Sequence, residues 1–144
     1  MKIRAVIESV IRPSRVGYAH CGLPCGVYDP AQARIEAESI RAIQQRYQNA
    51  ANAKGAGETV EDYKTRALKI KEERAEMVRN HLWILWSDYF KPEHLAKYPN
   101  LHELFWAATK EAAAAKQSED PAQGEKLLAA IGEIDKIFWE TKKA

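Results

Sequence analysis

Apolar residues at helical spacing in four segments of this 144-residue chain constrain its fold most strongly. Two of the segments follow an aspartate–proline pair, Asp29-Pro30 and Asp120-Pro121. Such a pair favours a helix start, because aspartate caps free backbone amides and proline suits the first helical position. No segment shows the sustained alternation that is typical of a strand. The pattern therefore predicts an all-α fold, an antiparallel up-down four-helix bundle.

The limits of the four helices follow from these signals and from the apolar periodicity. Thr59 and Asp62 resemble a capping box and mark the second start. Residues 50–58 read as a small-residue loop, and Pro92 and Pro99 flank a connector. The predicted helices run from Asp29 to about Asn49, from Thr59 to about Tyr89, from near Asn100 to about Lys116, and from Asp120 to about Thr141.

Two charged residues lie on predicted apolar stripes. Glu36 shares a stripe with Ile40 and Ile43, and Arg74 shares one with Ile70 and Met77. An unpaired buried charge is costly, so each needs a partner or access to water. Either the stripes are drawn one residue too wide, or the two charges face an interface or a site. The pattern leaves both interpretations open.

The net charge argues against a nucleic-acid partner, and the distribution of apolar residues argues against a membrane span. The net charge is only +2, without the basic excess of a nucleic-acid binder, and no run of 18 apolar residues exists that could span a membrane.

Residues 1–19 hold four basic residues and one acid, which leaves 18 basic and 19 acidic residues in 20–144. The first 19 residues read either as a frayed terminus or as a pro-segment, because Glu8 and Ser9 interrupt the apolar run a secretory signal needs. We expect a cytoplasmic protein.

Metal-binding donors are concentrated in residues 20–30, HCGLPCGVYDP. Zinc would need a second Cys/His pair at ligand spacing, and a disulfide between Cys21 and Cys25 would close only a tiny loop. If the chain begins at His20, its terminal amine, the Cys21 amide and the two thiolates form a planar N2S2 set. That set suits Ni(II) or Cu(II), with the His20 imidazole free to approach axially.

These residues resemble the nickel superoxide dismutase family, whose mature chain begins H-C-x-x-P-C-G-x-Y. Matching positions here are His20, Cys21, Pro24, Cys25, Gly26 and Tyr28, and the likeness extends over essentially all of residues 20–144. The resemblance implies disproportionation of superoxide to oxygen and hydrogen peroxide by nickel that cycles between +2 and +3. A metal-binding bundle without catalysis, holding nickel or copper, is the alternative.

The resemblance also implies a role for particular residues. One nickel ion per subunit is bound by His20, Cys21 and Cys25, and His20 and Tyr28 are the catalytic positions. Behind these ligands, the resemblance implies that Glu36 orients the imidazole and that Arg74 lies next to it. Tyr28 and Tyr89 line the approach of the superoxide anion. Lys91 reads as a solvated lysine that could steer the anion.

Assembly and processing are implied in the same way. The family is a homohexamer, in which Arg74 could act across a subunit boundary, and a peptidase removes a leader, here residues 1–19, by cleaving between Ala19 and His20. Residues 20–144 would then form the domain, with its metal-binding hook at 20–28. Gly22 stands where the family usually has aspartate, which predicts a hook that is less ordered before nickel binds.

Overall fold

The predicted capping residues start three of the long helices in the computed structural model, which describes residues 26–143. Asp29 Oδ1 accepts a hydrogen bond from the Ala31 amide at 2.8 Å. Thr59 accepts from the Asp62 amide at 3.1 Å, and Asp120 accepts from the helix that follows it. Each side chain satisfies an amide that the first helical turn leaves without a backbone partner.

Four long helices form the bundle, as predicted. In chain order the elements are α1 (Ala31–Gln48), α2 (Ala50–Ala53), α3 (Val60–Ile84), a π-helical turn (Leu85–Tyr89), α4 (Pro92–Lys97), α5 (Leu101–Gln117) and α6 (Pro121–Lys142). Helix α1 packs against α3 and α6, and α5 packs against the same two helices. No strand occurs among residues 26–143, and no helix within them is long and apolar enough to cross a membrane.

Two segments predicted to be irregular contain short helices. The loop at 50–58 begins with α2, because a run of small alanines continues the helical path after Asn49. The connector between the second and third predicted helices contains α4, which has Pro92 at its first position and follows Lys91 in an extended conformation. A proline disfavours helical geometry in the residue before it, so α4 has to start anew.

The buried face of α3 differs by one residue from the predicted stripe. Ala67, Lys71, Ala75 and Val78 are buried, whereas Met77 is 39% exposed. The stripe was misjudged because Lys71, a residue that usually lies in water, points into the bundle. Its ammonium donates to the Ser118 carbonyl oxygen at 2.6 Å and so satisfies a group at the C-terminal end of α5.

Burial also changes the proton affinity of Lys71. Loss of hydration lowers the pKa of its ammonium, and the nearby carboxylates of Glu119 and Glu72 oppose that change. The buried Gln44 side chain of α1 donates to the same Ser118 carbonyl at 3.0 Å. Two polar side chains from different helices therefore hold the end of α5 against α1 and α3.

Helices α1 and α6 approach each other closely at Gly124. A Cβ atom built on Gly124 would lie 2.6 Å from Gln44 Oε1 and 2.9 Å from Arg41 Cα. The second of these atoms is backbone and cannot move without shifting α1. Gly132 lies on the same helix, and a Cβ atom there would meet nothing within 4 Å.

We expect the two glycines of α6 to respond in opposite ways to alanine. Gly124→Ala should lower the free energy of unfolding by about 1–3 kcal/mol, because it overpacks the contact with α1. Gly132→Ala, the matched control, should raise that free energy by about 0.5–1 kcal/mol through helix propensity. Urea unfolding followed by circular dichroism measures both values. Equal effects of the two substitutions would contradict the close approach.

Candidate functional site

Tyr28 and Tyr89, which were predicted to line one site, lie against each other. Their ring centroids are 5.6 Å apart and the rings are inclined at 52°. Tyr89 ends the π-helical turn that terminates α3, where the Phe90 amide donates to the Leu85 carbonyl at 3.1 Å. This wider turn places Tyr89 beside the segment that leads into α1. Such π-helical turns are frequent at functional sites.

Tyr89 is held by groups from three other parts of the chain. Its ring packs on Phe138 of α6 at 4.4 Å between centroids, on Phe90 at 5.0 Å and on His94 of α4 at 5.7 Å, the last in a stacked arrangement. Its hydroxyl lies 2.8 Å from Thr141 Oγ1. His94 and Thr141 were not predicted as neighbours of the site, since nothing in the local sequence pattern relates them to Tyr89.

A cavity of about 740 Å³ opens beside the tyrosine pair. It is lined by residues from the entry segment, the end of α3, α4 and the end of α6: Gly26, Tyr28, Ser87, Asp88, Tyr89, Phe90, Lys91, Pro92, Glu93, His94 and Thr141. Gly26 has a φ of 64°, a conformation that side-chain-bearing residues rarely adopt. The described part of the chain therefore begins in the wall of this cavity.

One lysine lines the cavity, and a second lies next to the Tyr89 ring. Lys91 is one of the lining residues and is exposed. Lys142 Nζ lies 5.5 Å from the centroid of the Tyr89 ring. Asp88 and Glu93 also line the cavity, so its charges are mixed, and a small anion would meet the positive potential mainly next to the two lysines.

Glu36 and Arg74, the two charges on predicted apolar stripes, form an ion pair between α1 and α3. Arg74 Nη1 donates to Glu36 Oε2 at 2.9 Å. The Glu36 side chain is only 11% exposed, whereas that of Arg74 is 39% exposed. Glu36 is therefore a buried charge with a partner, and Arg74 lies at the edge of the stripe. This contact is made within one chain, and an action of Arg74 across a subunit boundary stays a prediction.

The Glu36–Arg74 pair and the Tyr28–Tyr89 pair lie at different levels of the bundle. Arg74 and Tyr89 are separated by 15 residues of one helical path, which is roughly 20 Å at 1.5 Å per residue. The structure thus brings Tyr28 to Tyr89 and Glu36 to Arg74, and it orders these pairs along the face where α1 meets α3.

The predicted metal ligands His20, Cys21 and Cys25, together with Gly22, lie outside the described residues. Among residues 26–143, no group of three or more His, Cys, Asp and Glu side chains could hold a metal ion. His94 accepts a hydrogen bond from the Lys91 amide, and His102 accepts one from the Trp86 indole at 2.8 Å. The ligand set of His20, Cys21 and Cys25 remains a prediction, and the donors in it suit nickel.

Loss of the Arg74 guanidinium should destabilise the bundle, because it leaves the buried Glu36 carboxylate without its partner. We expect Arg74→Gln to lower the free energy of unfolding by about 1–2 kcal/mol, between the values for exposed and buried pairs. Arg34→Gln on α1 is the control, since its pair with Glu38 is exposed; it should cost less than about 0.5 kcal/mol. Denaturant unfolding that gave equal costs would contradict the role of burial.

Comparison with known proteins identifies the family. The profile of nickel-containing superoxide dismutases matches residues 15–142. The chain is 53% identical over 139 residues to a nickel superoxide dismutase of Streptomyces coelicolor, covering 96% of this chain and 100% of the relative. It is 58% identical over 126 residues to one of Streptomyces seoulensis, covering 88% and 90%.

A solved structure agrees in fold. The native structure of a nickel superoxide dismutase superimposes with a TM-score of 0.77 at 57% identity, covering 87% of this chain and 100% of that chain. This chain is therefore similar to these enzymes along nearly all of its length. It contains the helical bundle, the Glu36–Arg74 pair and the Tyr28–Tyr89 pair described above. The chain belongs to the nickel-containing superoxide dismutase family.

Proposed function

We infer that the chain is a nickel-dependent superoxide dismutase, an oxidoreductase that disproportionates superoxide into dioxygen and hydrogen peroxide. The family match over residues 15–142, which includes the whole His20–Cys25 motif, carries this conclusion. Two curated relatives that bear this enzyme name are matched over 100% and 90% of their lengths. These relationships favour catalysis over a bundle that only stores nickel or copper.

We propose His20, Cys21 and Cys25 as the nickel ligands. Both thiols and the imidazole occur within six residues, directly before Gly26 turns the chain into the cavity wall. When bound, nickel supplies one-electron redox chemistry between its +2 and +3 states. The protein must hold the amine, amide, thiolate and imidazole donors in one place, and all of them belong to the six residues before Gly26.

Glu36 is the proposed orienting partner of the His20 imidazole. One carboxylate oxygen, Oε2, accepts from Arg74, and we assign Oε1 to an imidazole N–H of His20. A carboxylate that is itself held by a guanidinium fixes the ring orientation of a ligating histidine and raises its basicity. Arg74 would then act on the ligand through Glu36.

The proposed approach of superoxide runs through the cavity beside Tyr28 and Tyr89. Tyr28 follows Cys25 by three residues, so its side chain is the first large group after the ligand segment. We assign it to the wall that contacts the reacting anion, and Tyr89 to the wall behind it. Lys91 at the cavity would raise the encounter rate with an anion through its positive potential.

Removal of residues 1–19 is proposed to precede activity, with a maturation peptidase cleaving between Ala19 and His20. The free amine at His20 is then one of the donors. The solved native relative is covered completely by 87% of this chain. Residues 20–144 amount to 125 of the 144 residues, which is the same fraction, whereas the S. coelicolor relative aligns over 139 residues. These proportions support residues 20–144 as the mature domain.

The cytoplasm is the proposed compartment. Both cysteines are needed as thiolates in the proposed ligand set, and the cytosol keeps thiols reduced. Glu8 and Ser9 interrupt the apolar run of residues 5–11, which is unlike a secretory signal.

The N-terminus and the thiols provide the decisive test of the function. Chain that begins at His20 and is loaded with nickel should disproportionate superoxide rapidly in a stopped-flow assay, whereas chain that still begins at Met1 should show at most background activity. Cys21→Ser and Cys25→Ser should each abolish nickel binding, as measured by metal analysis, because a hydroxyl is a poor ligand for nickel. Mass spectrometry of the active protein verifies its first residue.

Full activity of the uncleaved chain would overturn the chelation scheme. Full activity of either serine variant would overturn the thiolate ligand set.

Assembly into a homohexamer is the proposed quaternary state, and an exposed groove between α3 and α5 is the proposed contact surface. We call this surface, formed by Trp83, Trp86, Phe105 and Trp106, the tryptophan groove; its volume is about 740 Å³. Trp83 is 63% exposed and Trp106 is 67% exposed. Large apolar patches of this kind mark protein–protein contacts.

The rim of the tryptophan groove favours a second copy of the chain as the occupant. Glu76 and Glu103 lie at the rim together with Arg79, so both signs of charge surround the apolar floor. Across a two-fold axis Arg79 of one copy can meet an acidic group of the other.

A charge placed in the tryptophan groove should therefore reduce the oligomeric state. We expect Trp106→Glu to give a smaller assembly than the wild type in sedimentation velocity, because the carboxylate would be buried without a partner. Trp139→Glu is the matched control at an exposed tryptophan outside the groove and should leave the assembly unchanged. A Trp106→Glu protein of wild-type size would contradict the assignment, provided that circular dichroism shows both variants to be helical.

A further inference from the structure

We propose that Thr141, in the last turn of α6, is a positioning residue that holds Tyr89 in place at the cavity; this inference rests on the function proposed above. Thr141 Oγ1 makes two contacts at once. It lies 2.8 Å from the Tyr89 hydroxyl and 2.7 Å from the carbonyl oxygen of Phe138, one turn earlier in α6. Thr141 also lines the same cavity as Tyr28 and Tyr89.

The two contacts fix the direction of the hydrogen bonds. A carbonyl oxygen can only accept, so Thr141 donates its single hydroxyl proton to the Phe138 carbonyl oxygen. Thr141 Oγ1 must then accept the proton of the Tyr89 phenol. The opposite arrangement would use the threonine proton on Tyr89 and would lose the bond to Phe138, so it makes one hydrogen bond fewer.

This direction separates the roles of the two tyrosines. The phenol proton of Tyr89 points towards α6 and is not available to an anion in the cavity. Tyr89 therefore acts as a wall whose position matters, and the group that meets the reacting anion is left to Tyr28. Because the two rings pack at 5.6 Å, a displaced Tyr89 would also displace Tyr28, which follows the ligand Cys25 by three residues.

The aromatic neighbours of Tyr89 restrain its ring but not its hydroxyl end. Phe138 and His94 pack on the ring at 4.4 and 5.7 Å. The hydroxyl end is held by Thr141 alone among the hydrogen bonds that the described residues make to it. The end of α6 thus determines the position of the Tyr89 side chain in the cavity wall.

The test compares two substitutions at Thr141 in mature, nickel-loaded protein. Thr141→Val keeps the shape and removes the hydroxyl, and we expect kcat/KM for superoxide to fall about three- to tenfold, the value of one hydrogen bond. Thr141→Ser keeps the hydroxyl and should restore kcat/KM to within about twofold of wild type. Nickel content and the thermal unfolding midpoint should stay near those of the wild type in both variants.

A hydroxyl that bonds only to its own helix provides the matched control. Ser39 Oγ donates to the Ile35 carbonyl at 3.0 Å on α1, away from the cavity lining. Ser39→Ala should leave kcat/KM unchanged. A second readout does not depend on activity: crystal structures of the metal-free Thr141→Val and Thr141→Ser proteins should show Tyr89 displaced in the first and in place in the second.

The outcomes are separable. An undisplaced Tyr89 in Thr141→Val, a Thr141→Ser variant as impaired as Thr141→Val, or an equal loss in Ser39→Ala would overturn the positioning role. If the wild-type protein with nickel fails to disproportionate superoxide, the proposed function is wrong, and the displacement of Tyr89 still tests the role of Thr141.

Discussion

The packing of α1 against α3 is the interaction on which the rest of the structure depends. Small buried residues on both helices, among them Ala33, Ala37 and Ala75, allow the two backbones to approach closely. The same interface carries the pair of Glu36 and Arg74 and, at its end, the pair of Tyr28 and Tyr89. The contact that buries the core thus also places the charged and aromatic side chains of the candidate site.

At one end of the bundle, the ends of several helices together form the candidate site. The π-helical turn widens the end of α3, Pro92 forces a new helix to begin, and the last turn of α6 returns to the same place. A cavity wall made from several rigid elements holds its side chains more accurately than a loop would. The proposed ligand residues precede Gly26, which is itself part of this cavity wall.

Features with a local sequence signal were predicted correctly, whereas a side chain whose burial is unusual for its type was not. The capping residues Asp29, Thr59 and Asp120 were assigned correctly, because a cap and the amide it satisfies lie within three residues. The stripe of α3 was misplaced because Lys71 is buried to satisfy the Ser118 carbonyl of another helix. No periodicity within α3 could reveal that partner.

By itself, the sequence determined the helical class, the starts of the helices, the family likeness and the run of donors at His20–Cys25, because each of these is encoded within a few neighbouring residues. Only the tertiary structure decided which distant groups meet. Glu36 and Arg74 are 38 residues apart, and Tyr89 and Thr141 are 52 apart. Such partners depend on the rotation and register of packed helices, which the close-packed core sets as a whole.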